Sequence, residues 1–255
     1  MGPIMRTAAS GLYAQATKLE VLANNLANVQ TTGFKSRRVG LADLTYQELT
    51  RSGWPAYGGR VGTGAAVAEI GPDFAGGALL ETGRPFDVAV LGSGFLAVQL
   101  PDGSPAYTRD GHLVLAPGGR LVHAGTGYPL LPEIAVPEEA QQASITPDGR
   151  VWARTAEGEP EEVGQIWLYR FVNPQGLVAR GENLWLAGEL SGEPEVAAPG
   201  TPGWGSLGIG QLEASNVDVA EQMVEMLLAQ RAYQLNARMI TTADEMWSLA
   251  NDLRR

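Results

Sequence analysis

The sequence predicts an α+β protein: one helix at each end of the chain, the two forming a coiled-coil-like pair, with an all-β domain (a sandwich or irregular barrel) inserted between them. Three observations predict it. Residues 217–247 place apolar side chains at alternating +4 and +3 spacing, and residues 4–30 do the same. Residues 76–205 instead break into short apolar runs, with Gly, Pro and Asp-Gly turns about every eight to twelve residues. The expected boundaries are an N-terminal helix within 1–33, an extended connector over 34–75, a β-rich outer domain over 76–205, and a connector plus C-terminal helix over 206–255. The two helices together make an inner core domain.

Composition bounds the function. A chain of 255 residues with 44% hydrophobic and 18% charged residues is globular and long enough for a real core. Cysteine is absent, which excludes disulfides and thiolate metal sites. The net charge is −10, with the basic residues Arg6, Lys18, Lys35, Arg37 and Arg38 concentrated at the start of an otherwise acidic chain. Nucleic acid is therefore not an expected partner. No apolar run is long enough to span a bilayer, and the N-terminus lacks the apolar stretch of a secretory signal.

In the first helix Leu12, Ala16, Leu19, Ala23 and Leu26 form the stripe, with Leu22 and Val29 beside it. Pro3 suits a first turn, and Gly33 suits a left-handed residue after the helix end. Asn24, Asn25 and Asn28 are unusual so late in a helix, because asparagine amides compete for backbone hydrogen bonds. They are read as interface residues, with orientation of the exit turn as their other use. In the connector, Leu41–Leu49 is a short helix or an extended arm, followed by glycine-rich sequence at Gly53, Gly58 and Gly59. Gly59-Arg-Val-Gly-Thr-Gly64 lacks the Gly-Lys-Ser/Thr ending of a phosphate loop.

The expected strands are Phe86–Leu91, Phe95–Leu100, Ala106–Arg109, Leu113–Leu115, Arg120–Val122, Ser144–Ile145, Val151–Ala153, Gln165–Phe171 and Asn183–Ala187. Pro199–Gly210 reads as a glycine-rich connector. Ser215 or Asn216 caps the last helix, and Asp218 and Glu221 suit its positive end. Its stripe runs through Val219, Met223, Met226, Gln230, Tyr233, Ala237, Ile240, Asp244 and Trp247, and Leu227, Leu228, Leu235 and Met239 widen the apolar surface. A helix apolar on more than one side expects several neighbours. The expected subunit interface is Leu12, Leu19, Leu22, Asn24, Asn25, Leu26 and Asn28 with Val219, Met223, Met226, Leu227, Leu228, Gln230, Tyr233, Ile240 and Trp247.

No constellation for catalysis emerges. His112 and His123 lack metal-ligand spacing, and Gly92-Ser93-Gly94 is a strand turn without the nucleophile-elbow pattern. Arg109-Asp110 reads as a turn salt bridge, and Trp152, Trp167 and Trp185 as sandwich core. The acids of Glu157–Glu162 and Glu189–Glu195 read as solvated loops. No catalytic, cofactor or metal residue is expected.

Three separated stretches carry a resemblance. Ala23-Asn-Asn-Leu-Ala-Asn-Val-Gln-Thr-Thr-Gly-Phe-Lys35 is similar to the N-terminal signature of the bacterial flagellar basal-body rod and hook family. Ser215-Asn-Val-Asp-Val, Ala229-Gln-Arg-Ala-Tyr-Gln-Leu-Asn236 and Ile240-Thr-Thr-Ala-Asp-Glu-Met246 resemble its C-terminal signature. Pro101-Asp-Gly, Ala106-Tyr-Thr-Arg-Asp-Gly111 and Gly181-Glu-Asn-Leu-Trp185 resemble the family's distal-rod branch in particular. The resemblance spans nearly the whole chain. It implies a non-enzymatic axial protein without cofactor that assembles helically with copies of itself and with neighbouring rod and hook proteins. It also implies export through the flagellar type III apparatus without a cleaved signal, and a place in the cell envelope among the rod-surrounding rings. The stretch Arg51–Gly64 looks shorter than the family's usual connector. The neighbouring proximal rod and hook-like members are the alternative within the family. A β-sandwich module that binds or cleaves cell wall is the alternative of another class.

Overall fold

A computed structural model describes residues 3–48, 60–137, 139–155 and 160–253. The chain forms two units. One comprises Met1–Ala27, Arg37–Pro72 and Val217–Arg255, and the other Asn28–Ser36 and Asp73–Asn216. The α+β expectation holds: helices at the two ends pair, and an all-β insertion of several small sheets lies between them in sequence.

In the helical unit, α1 spans Pro3–Ala27 and α2 spans Val219–Asp252. They run antiparallel. Lys18 bridges Glu225 at 2.9 Å, and Asn25 Nδ2 donates to Gln222 Oε1 at 3.0 Å. A Cβ on Gly11 would come within 2.8 Å of the Asn236 amide, so glycine admits the close approach there. The seam differs from the one expected. The residues of α2 that meet α1 are Gln222, Glu225 and Asn236, with Ala229 buried between them, one step off the stripe read from the sequence. Gly11 of α1 admits the Asn236 amide, and Met226 and Ile240 of the expected stripe are half-buried.

The helix start is also corrected. Asp218, not Ser215 or Asn216, caps α2, accepting from the Ala220 and Glu221 amides at 2.8 and 3.2 Å.

Of the two expectations for the connector, helix and extended arm, the described residues are extended, and they are paired. Strand Arg37–Asp43 pairs antiparallel with Ala65–Pro72, with a bulge at Gly40/Leu41, and Tyr46–Glu48 pairs with Arg60–Gly62. The Gly53–Gly59 stretch lies outside the described residues, as does most of Arg51–Gly64. Asn25 fixes the base of this ribbon. It is buried, and its side chain accepts from Arg37 N–H and donates to Arg37 C=O, both at 2.9 Å, in place of a neighbouring strand. Asn25→Ala leaves both backbone groups without that partner, an expected loss of about 1–3 kcal/mol. Thermal denaturation, with loss of amide protection at Arg37, checks it.

In the β unit, Phe95, Tyr107, Phe171 and Trp185 form an aromatic cluster, with Tyr107 edge-on to Phe171 at 4.8 Å. A larger aliphatic core gathers Val88, Leu96, Leu121, Leu130, Ile166 and Leu168. Of the three tryptophans read as core, Trp185 is buried, whereas Trp152 and Trp167 are only half-buried. A four-stranded sheet runs in the order 178–181, 184–186, 105–108, 96–99, beside a meander of 140–145, 150–155 and 161–165. Residues 206–213, read as connector, are two strands. Ser206–Ile209 pairs with Val88–Leu91, and Gln211–Glu213 with Leu79–Glu81. Glycines had concealed them: Gly208 and Gly210 interrupt the apolar pattern on which a strand prediction rests.

Candidate functional site

Two features stand out: a junction inside the β unit and an apolar face on α2.

The junction gathers residues of the N-terminal motif and of the central motifs Ala106–Gly111 and Gly181–Trp185. Gly33 adopts φ +66°, and a Cβ there would lie 2.6 Å from the Asp110 nitrogen, so both conformation and space demand glycine. Its N–H donates to the Glu213 carbonyl at 2.7 Å. Thr32 Oγ1 donates to Asp110 Oδ1 at 3.0 Å, and the Thr32 carbonyl accepts from Asn183 Nδ2 at 2.9 Å. Asn183 can reach it because Glu182 and Asn183, at φ 55° and 57°, make the tight turn of the hairpin 178–186. Lys35 is fully buried. Its Nζ lies 2.5 Å from Glu213 Oε1 and 2.8 Å from the Ala75 carbonyl. Glu213 Oε1 also accepts from Gly77 N–H at 2.9 Å, and Glu213 Oε2 lies 3.5 Å from Arg109 Nη1. Burial pulls the Lys35 ammonium below its ordinary pKa, and the hydrogen bond and charge of Glu213 oppose that shift.

Arg109 and Asp110 are therefore not a turn salt bridge. They point to different partners. Arg109 donates to the Val90 and Gly92 carbonyls at 3.2 and 2.8 Å and faces Glu213, whereas Asp110 faces Thr32 and His123. His123 is held at both ring nitrogens, by Asp110 and by Thr126. Apart from Arg109 Nε, which is buried without a hydrogen-bond partner, these polar groups are satisfied and serve an architectural role. Among the described residues no group of His, Asp and Glu is placed to hold a metal. A groove of about 650 Å³ on the β unit is lined by Phe86, Leu115, Val136, Trp152 and Arg154.

On α2, Val219, Met223, Leu227, Leu228, Tyr233 and Trp247 are exposed in the single chain, with Leu228 at 61% and Trp247 at 63%. Gln230 is exposed, and Met226 and Ile240 are half-buried. On α1 the expected interface residues divide. Leu22 and Asn25 are buried inside the chain, Leu12, Leu19 and Leu26 are half-buried, and Asn24 is exposed; Asn28, just beyond the helix, is half-buried. Large apolar side chains are thus left exposed on more than one side of α2.

Three protein-family models match in sequence order. "Flagella basal body rod protein" covers residues 5–35, "Flagellar hook protein FlgE/F/G D1 domain" covers 89–153, and "Flagellar basal body rod FlgEFG protein C-terminal" covers 210–253. The chain is 44% identical to the flagellar basal-body rod protein FlgG of Borreliella burgdorferi, over 98% of this chain and 97% of the relative. The chain belongs to the flagellar basal-body rod protein family. FlgG of Bacillus subtilis is 39% identical over 96% of this chain and 97% of its own length. The hook-basal body complex protein FlhP of the same organism is 29% identical over 98% of both. Rod proteins are structural components of the flagellar basal body in the cell envelope, not enzymes, and the cell-wall hydrolase alternative is set aside. Two of the three models end on the features described here. The first covers Thr32, Gly33 and Lys35, and the last covers Glu213, Asn216 and the exposed face of α2. Sequence reading found the motifs but missed Glu213, the acid that joins them. An isolated Glu before Ala-Ser-Asn carries no local signal that it will be buried.

Proposed function

We propose that this chain is the distal rod subunit, an axial protein that assembles helically with copies of itself and carries torque from the motor to the hook. The observation that carries the reading is the exposed apolar face of α2, bearing Met223, Leu227, Leu228, Tyr233 and Trp247. Its partner is the helical surface of neighbouring subunits, where Leu12, Leu19, Asn24 and Leu26 of α1, Asn28 just after it, and Met226, Gln230 and Ile240 of α2 complete the contact. Contacts between unlike patches that do not close give a helical assembly. The central motifs Ala106–Gly111 and Gly181–Trp185 support the distal member over the proximal one. The subunit reaches its place through the flagellar type III apparatus without a cleaved signal, and its neighbours are other rod proteins, the hook and the surrounding rings. Electron microscopy of basal bodies from a deletion strain tests the assignment. The expected result is loss of the distal shaft with the proximal rod retained. Loss of the proximal rod, or an intact rod lacking only its hook, would reassign the chain to a proximal or hook-like role.

A further inference from the structure

The chain passes between its two units after Ala27, Ser36, Pro72 and Asn216. Three of these points meet at one side chain. Asn216 Oδ1 accepts from Ser36 N–H at 2.7 Å, and Asn216 Nδ2 donates to the carbonyls of Asp73 at 2.8 Å and Ala75 at 3.2 Å. Asp73 N–H donates to the Ser36 carbonyl at 2.8 Å and closes the ring. Ala75 C=O also accepts from the buried Lys35, so the ring is continuous with the charge cluster around Glu213.

We propose that Asn216 is a positioning residue for rod assembly, a staple that holds three outgoing segments of the chain at fixed separation on the β unit. The proposal rests on the reading of the chain as a self-assembling rod subunit. Only asparagine satisfies this geometry. Its planar amide supplies one acceptor and two donors, and its orientation is set by its partners, since Ser36 N–H can only donate and the two carbonyls can only accept. Aspartate keeps the acceptor and loses both donors. Alanine loses all three bonds. Glutamine adds a methylene that displaces the amide. Phe74, between the two residues whose carbonyls the staple holds, packs against the aromatic cluster, whereas the aliphatic core of Val88, Leu96 and Leu121 makes no bond to the staple. Its role is to set where the chain leaves.

Amide hydrogen exchange on the purified full-length protein tests this. In Asn216→Ala the Ser36 amide loses its acceptor and exchanges faster whatever the role. The Asp73 amide bonds to Ser36 and not to Asn216, so it responds only if the staple holds the segments together. The expected result is roughly tenfold faster exchange at Asp73, matching the loss of about one hydrogen bond, with unchanged rates at Val88, Leu96 and Leu121. Asn216→Asp, which keeps the bond to Ser36, is expected to leave Ser36 protected and still release Asp73. An Asp73 rate unchanged in both variants overturns the staple. Rods are then counted in strains carrying each variant. Fewer or shorter rods are expected at normal protein level, and wild-type numbers in both strains overturn the positioning role. Leu228→Asp in the same strain background separates the two readings. If it too forms normal rods, the assembly reading fails; if it alone abolishes rods, only the staple fails.

Discussion

Leu228→Asp is expected to abolish rod assembly while leaving the purified chain as stable as wild type. The two halves of that expectation come from the same side chain in two environments. In the single chain Leu228 is 61% exposed, so a carboxylate there stays hydrated and should change stability by no more than about 0.5 kcal/mol. Between subunits the same carboxylate would be buried without a partner, at a cost of several kcal/mol per contact. Repeated at every subunit, such a penalty prevents growth altogether. Ala232 is a poorer probe of the same face. It is half-buried within the chain, so Ala232→Asp would mix folding and assembly effects. Motility and basal-body microscopy read the assembly arm, and thermal denaturation of the purified protein reads the other. Normal rods in the Leu228→Asp strain would remove α2's apolar face from the interface.

The second large effect is at Glu213, where substitution is expected to destabilise the β unit more than substitution at Lys35 does. Removing one member of a buried pair leaves the other charge uncompensated, at about 3–5 kcal/mol. Lys35→Met leaves Glu213 with Arg109 at 3.5 Å and with the Gly77 amide. Glu213→Leu strands two buried cations, Lys35 and Arg109, together with that amide, and so falls at or above the top of the range. Chemical denaturation of the two single variants and of Lys35→Met/Glu213→Leu gives the order and the coupling. The double variant is expected to recover part of the Glu213→Leu loss, because it removes one stranded charge, but not all of it, because Arg109 remains. Equal losses in the two single variants would show that Arg109 does not share the Glu213 carboxylate.

Much of the fold was legible in the sequence for reasons of locality. A helix repeats every 3.6 residues and a strand every two, so Leu12–Leu26, Val219–Trp247 and the runs from Phe86 to Ala187 declared themselves over short windows. The left-handed conformation of Gly33 was legible, but not its place: α1 ends at Ala27, short of the expected residue 30, and Gly33 lies beyond that end. The strands at 206–213 were not, since Gly208 and Gly210 dilute their apolar character and their pairing partners lie more than a hundred residues away. Nor was the ribbon 37–72, whose pairing depends on a buried Asn25 acting as a strand neighbour.

Taken alone, the sequence determined that two apolar-striped helices flank an all-β insertion, that the chain is an architectural protein without a catalytic constellation, and that its end motifs resemble one family. The tertiary structure alone decided which face of α2 meets α1. Periodicity records that a face is apolar but not which partner takes it, and the polar contacts of Gln222 and Glu225, with the close approach of Asn236 to Gly11, fix the side of α2 that meets α1. It also decided that the N-terminal and central motifs form one junction around Glu213. Thr32, Lys35, Asp110, Asn183 and Glu213 are distant in sequence, and each polar group is satisfied by a partner whose position depends on the whole chain being folded.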